Sequence, residues 1–278
     1  MKLSCLVVVA GALLAGCASP TVAGPPATTY APADLVLQVR IFGGFVPVSV
    51  TVTQMPEISV YGDGRVITNG PTPAIYPGPA LPNVQVTRIA QADVSALTRR
   101  ALDAGVGNGE DAGTPSVADA PATRITVRTD AGLVSTDVMA LGLEDATLSR
   151  DQRAVRKRMQ DLVADLRDLR KTLGKDHIDE PAPYEPARLA AVAGEWQPSD
   201  TGQPSDPPAL PWPGSADLPG PAVPNRPGVN CLVVDAPGVL AAARQANART
   251  PWLSGDARWS VQFRLLLPDE TSCADLAR

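Results

Sequence analysis

Few residues in this 278-residue chain could do covalent chemistry: four cysteines, one histidine and a scatter of carboxylates. Acyl transfer would need an activated nucleophile, and neither G-x-S-x-G nor S-x-x-K occurs. His177 sits in the run Lys175-Asp176-His177-Ile178-Asp179-Glu180, among three carboxylates. Placed just past a helix end, it reads as part of a surface linker rather than a catalytic base. Gly107-Asn108-Gly109-Glu110-Asp111-Ala112 spells G-x-G-x-x-A, but a dinucleotide site needs a strand before that turn and a helix after it. Here the run follows a helix and enters a proline-containing loop. Asp103, Asn108, Glu110, Asp111 and Asp119 could offer oxygen ligands, yet they lack EF-hand spacing and read as a solvated acidic loop. Carboxylates acting as an acid–base pair leave no short motif. Asp63, Asp111 and Asp119 therefore remain the candidates for a hydrolase.

The cysteines carry more information. Lys2, the apolar run Leu3–Leu14 and the small residues before Cys17 have the layout of a secretory signal. Leu14-Ala15-Gly16-Cys17 resembles the lipobox of bacterial lipoproteins, in which cleavage precedes an acylated cysteine. The apolar run is too short to span a hydrocarbon core, which takes about 20 residues, and no later segment is long and apolar enough. Attachment would then rest on acyl chains at Cys17, each buried methylene contributing about 0.8 kcal/mol. The expected partner is the membrane, reached through those chains on its extracytoplasmic face. Cys5 would leave with the signal, and Cys231 and Cys273 would remain. In an oxidising compartment these two are expected to pair, the alternative being two buried free thiols. With one histidine they do not make a zinc site, and no metal or cofactor is implied.

Composition narrows the partners. The net charge is −5 and becomes more negative once Lys2 departs, with no basic block outside one helix. A nucleic-acid partner is not expected. The alanine-, proline- and threonine-rich stretch 17–32 reads as a lipid-anchored tether after the signal 1–16. Two modules should follow, 33–180 and 181–278.

Alternation predicts a strand at Leu35–Ile41 and another at Ser49–Gln54, then a hairpin of Glu57–Tyr61 and Arg65–Thr68 around Gly62-Asp63-Gly64. Five prolines in 69–82 predict a rigid connection around Tyr76. A strand at Val84–Ile89 leads to a helix at Gln91–Ala104, and a hairpin joins Thr123–Thr129 to Leu133–Leu141. The longest predicted helix, Ser149–Leu173, repeats Val155, Met159, Leu162, Leu166, Leu169 and Leu173 at heptad-like spacing. That seam suits an amphipathic helix packed on a sheet, or a coiled-coil dimer. Its arginines interleave with Asp151, Asp161, Asp165 and Asp168, as on a solvated face. Arg188–Trp196 reads as a strand. Pro198–Gly228 holds ten prolines in 31 residues and cannot supply an interior ladder; Trp212 could pin it to the surface. A strand at Cys231–Val234, a helix at Pro237–Ala248 and a strand at Trp259–Leu267 close the chain.

The expected fold is therefore α+β: a largely antiparallel sheet with three helices, in two modules. Candidate binding residues are Phe45, in Phe42-Gly43-Gly44-Phe45-Val46-Pro47, and Tyr76, in Tyr76-Pro77-Gly78-Pro79; apolar loop residues of this kind form recognition patches. The stretches IFGGFVP, ISVYGDGRVI, IYPGPALP, VADAPATRITVRTDAG and WSVQFRLLLPDE resemble blocks of uncharacterised secreted lipoproteins of high-GC Gram-positive bacteria. That resemblance covers most of the chain after the signal. It implies a lipid anchor and paired late cysteines, and it brings no activity or cofactor. The function expected is a non-enzymatic binding or scaffold protein of the cell envelope, with an envelope protein as partner; the alternative is an envelope hydrolase using paired carboxylates.

Overall fold

The computed structural model describes residues 29–198 and 206–277. The expected signal 1–16, Cys17, most of the tether and part of the proline-rich excursion lie outside the described residues. The fold is α+β, with a seven-stranded antiparallel sheet packed against a second, five-stranded sheet. Strand β1 (Leu35–Gly43) runs through the interior of the first sheet, paired with β2 (Ile58–Tyr61) on one side and β5 (Pro121–Thr129) on the other. Beyond β2 come β3 (Arg65–Asn69), β4 (Val84–Arg88) and the two-residue edge strand β7 (Ala182–Pro183). Beyond β5 lies β6 (Gly132–Met139).

A register shift in β1 between Leu35 and Leu37 lets one strand serve two cores. Leu35 enters the core between the sheets, while Val36 and Leu37 face the helices. The helix layer consists of α2 (Gln91–Asp103) and α3 (Arg150–Arg167). Ser149 caps α3 in a reciprocal capping box with Gln152, which satisfies two backbone N–H groups at the exposed helix end. Met159, Leu162 and Leu166 are sealed against Val39, Ile125 and Val127 of the sheet, so the heptad-like seam faces the protein's own core. Leu162→Ala or Leu166→Ala is expected to cost about 2–5 kcal/mol in denaturant unfolding. A variant of unchanged stability that lost self-association would instead return that seam to a coiled coil.

Three expectations change. Ser49–Gln54 is not a strand: Val48–Thr53 forms a six-residue helix, α1. Alternating valines favour extended chain, but tertiary packing overrides that preference. Val52 is buried under Ala190 and Val192 of the second sheet, leaving Val48 and Val50 exposed. The helix expected over Ser149–Leu173 breaks at Asp168, whose side chain accepts from the Lys171 N–H and caps a separate short helix, α4 (Leu169–Leu173). With α5 (Ala236–Ala243), the described residues therefore hold five α-helices rather than three.

The second sheet runs β10 (Asn230–Asp235), β8 (Arg188–Glu195), β12 (Ala257–Leu265), β11 (Trp252–Ser254) and β9 (Leu210–Pro211). Among its described residues the proline-rich stretch contributes the strand β9, two residues on the edge, where a missing N–H costs no ladder bond. Trp212 does pin it: the indole donates to the Ala216 carbonyl and its ring meets Trp252 edge-on and stacks near Phe263. Tyr61, Ile67 and Val84 of the first sheet share one core with Leu189, Phe263 and Leu265 of the second and Val239 of α5. Around residue 180 the chain passes from the helix-side core, which takes Leu169 and Ile178, to this inter-sheet core, which takes Tyr184 and Leu189. Cys231 and Cys273 are joined as a disulfide, with Cα atoms 6.0 Å apart.

Candidate functional site

Strand directions give the first sheet two unlike ends. The chain enters at the Leu35 end of β1, where Tyr30 and Ala31 lie against the β2–β3 turn. A Cβ at Gly62 would sit 2.1 Å from the Ala31 carbonyl oxygen, so only glycine admits the incoming segment. At the opposite end Gly43 pairs with Pro121, Ala122 with Met139, Ile58 with Thr68 and Asn69 with Val84. The loops 44–57, 70–83 and 140–149 all leave from this second end.

Most exposed large hydrophobic residues gather there. Phe45 is 90 % exposed and Tyr76 64 %; both predicted binding residues stand in solvent, on loops leaving the same end of the sheet. Val46, Val48 and Val50 extend the first loop's apolar surface, and Ile75 the second's. Leu143 and Met139 add to it from the end of β6 and the loop beyond. Phe42 is set differently, its ring lying under the Arg124 guanidinium at 4.8 Å.

Arg156 of α3 fastens this end. Its guanidinium donates to the carbonyls of Met139 and Ala140 at 3.0 and 2.6 Å and to Ala112 at 3.4 Å. Burial lowers its pKa, with Asp145 pulling the other way. Asp145 in turn gathers the Thr147 hydroxyl and the N–H groups of Thr147 and Ser116, which hold its carboxyl below the usual range. Two hollows flank the fastened loop. One, of about 660 Å³, lies between Leu143–Leu148 and the first turns of α3, with Arg150, Arg153 and Lys157 on its wall. The other, of about 460 Å³, is mainly apolar, with Ile41, Pro121, Ala140, Leu141 and Val163 in its lining. Leu143 and Gln160 belong to both.

No family model matches the chain, and no curated protein or solved structure matches it either. Function must be argued from its own geometry.

The predicted carboxylates do not converge. Asp63 sits on the β2–β3 turn at the entry end, in an ion pair with Arg65 at 2.7 Å. Asp119 lies at the far end, beside Gly44. Asp111 accepts from the Gln152 amide and the Gly113 N–H, which lower its pKa, the wrong direction for a general acid. Glu110 of the acidic loop is held by Asn108 and Arg158. His177 Nδ1 lies 3.1 Å from Asp93, tying the short 3₁₀ turn Lys175–His177 to the start of α2.

Sequence reasoning missed one carboxylate: Glu270, buried against Arg264 at 2.8 Å. The alternation of Val261, Phe263 and Leu265 puts Arg264 on the polar face of β12 and so conceals its burial, and nothing local to Glu270 announces its own.

Proposed function

We propose that this chain is a non-enzymatic binding protein of the bacterial cell envelope, carried outside the cytoplasmic membrane on acyl chains at Cys17, with the loop end of the first sheet as its recognition surface. One observation carries this reading: among the described residues, most of the exposed large apolar side chains lie on strand ends and loops at the end of β1 opposite the entering chain. β1 spans roughly 27 Å at 3.4 Å per residue. A tether attached at the entry end holds that end toward the bilayer and presents Phe45 and Tyr76 away from it. Exposed large apolar residues concentrated on one end of a sheet suit an interaction site. The hydrolase alternative draws no support from Asp63, Asp111 and Asp119, which are held apart, Asp63 paired with Arg65 and Asp111 with Gln152.

Metabolic labelling with a fatty acid is expected to mark the wild-type protein and leave Cys17→Ala unlabelled, with the variant released from membranes or retained as precursor. Equal labelling of the two would refute the anchor. Crosslinking the anchored protein in cells, with loss of the adduct on Phe45→Ala, tests the recognition surface; an adduct indifferent to that substitution would refute it.

A further inference from the structure

Four strands lie at sheet edges among the described residues, and three of them are closed to further pairing. β7 and β9 are two residues long and each ends in proline, at Pro183 and Pro211. β10 is covered: Asn230 bridges to Ala222, and the Cys231 N–H donates to the Pro221 carbonyl. β6 is different. It runs eight residues in unbroken register with β5, from Gly132 against Thr129 to Met139 against Ala122, without bulge, proline or lysine. Short length, proline, lysine and bulges are devices that keep an edge from pairing, and β6 carries none of these.

The pairing fixes which backbone groups are free. The two-residue turn Asp130-Ala131 makes Thr129 and Gly132 a hydrogen-bonded pair, so Gly132, Val134, Thr136 and Val138 direct their backbone groups to β5. Leu133, Ser135, Asp137 and Met139 aim theirs outward. Arg156 takes the Met139 carbonyl. Among the described residues, the N–H and C=O groups of Leu133, Ser135 and Asp137 meet no hydrogen-bond partner. Gly107 comes near, but its N–H donates to the Thr136 hydroxyl on the helix face and leaves the edge alone. Leu133 and Met139 are exposed, and the Asp137 carboxylate between them is held at 2.7 Å by two nitrogens of Arg124. The one charge on this edge is thereby neutralised.

We infer that β6 is a docking edge for an extended segment of a partner protein, which adds to the seven-stranded sheet as a further antiparallel strand. A row of unpaired amides recognises extended backbone, and alternate side-chain positions select among segments. The segment that fits runs about seven residues, apolar at both ends against Leu133 and Met139 and hydroxyl-bearing between them, with no carboxylate opposite Asp137. Exposed Leu143, in the loop that follows β6, continues the apolar surface from Met139, so the edge leads into the recognition surface proposed above. The choice of a partner over a second copy rests on that reading. Two β6 strands paired about a two-fold axis run in opposite directions, and the loop end of one copy would then turn toward the membrane that the other faces away from.

The test uses the full processed chain in detergent and, as probe, the synthetic peptide Lys-Val-Val-Thr-Thr-Thr-Val-Val-Lys. Binding is expected to slow amide exchange at Leu133, Ser135 and Asp137. Methylating one alternate set of the peptide's amide nitrogens should abolish binding, and methylating the other set should leave it, because a strand offers only one of its two edges to β6. Ser135→Pro removes an outward N–H and no ladder bond, so it should weaken binding on the order of tenfold, whereas Ser135→Ala retains it. The methylated peptides decide the matter on the wild-type chain even if Ser135→Pro does not fold. Unchanged exchange at those three amides, or equal effects of the two methylated peptides, would overturn the proposal. So would reversible dimers in sedimentation that Ser135→Pro abolishes, which would assign the edge to a second copy. The peptide assay needs neither Cys17 nor Phe45, so its failure is distinct from failure of the anchor or of the loop surface.

Discussion

Glu270→Leu is expected to lower the unfolding free energy by about 3–5 kcal/mol, the cost of stranding a buried charge. The charge is Arg264, 1 % exposed, whose guanidinium meets Glu270 at 2.8 Å and also contacts the Leu265 carbonyl and the Met55 sulfur. Glu270 accepts in addition from the Leu267 N–H at 2.8 Å. Tyr61 donates to Asp269 and Tyr184 to the Leu266 carbonyl, so a polar knot fills one margin of the inter-sheet core. Replacing both partners, Arg264→Met with Glu270→Leu, should return stability close to wild type or above it, because desolvating the pair offsets much of its attraction. A Glu270→Leu midpoint in denaturant equal to wild type would sink this account. The pH dependence has a definite sign. Burial raises the Glu270 pKa against the pull of Arg264, so the folded state holds that proton more tightly than the unfolded chain. The contribution is complete below the ordinary carboxylate pKa and is lost as pH rises through the raised one. Glu270→Leu should remove that falling limb.

The second large effect is the loss of the disulfide. Cys231→Ala with Cys273→Ala is expected to cost about 4 kcal/mol in the chain-entropy model for a loop of this length, the two cysteines being 42 positions apart. Unfolding midpoints of the oxidised and doubly substituted proteins measure it, and equal midpoints would refute it. The bond fixes the tail that carries Asp269 and Glu270, three residues before Cys273. The two substitutions should therefore be non-additive, as neighbours sharing one segment are.

What could be read from the sequence divides by range. The hairpins around Gly62-Asp63-Gly64 and Asp130-Ala131-Gly132 and the capped start of α3 follow from local signals, and the structure has them. The pairing of Cys231 with Cys273 needed only an oxidising compartment and the absence of competitors. The error at Ser49–Gln54 arose because alternating valines carry the same pattern whether extended or in one short helix turn, and only Val52 meeting Ala190 and Val192 decides between them. The break at Asp168 is masked by a heptad-like pattern that continues past it, although an aspartate that can cap is the local signal for it. Phe45 and Tyr76 were visible as aromatics beside glycine and proline. Their placement at one end of the sheet, and the hollows beside Leu143, depend on strand order, which no local signal encodes.

The interior position of β1 has a mechanical consequence. On the anchor and recognition surface proposed above, tension would run between the entering segment and the loop end. A pull on the segment before Leu35 acts along β1, which is hydrogen-bonded on both sides to antiparallel neighbours. Ladder bonds lie across the strand axis, so the load falls on both rows at once, in shear, instead of opening one row from its end. Forced unfolding is governed by the unfolding rate, and a strand clamped on two flanks is a slow one to withdraw. Had the chain entered through β6 at the sheet's edge, the same tension would meet one row of bonds instead of two.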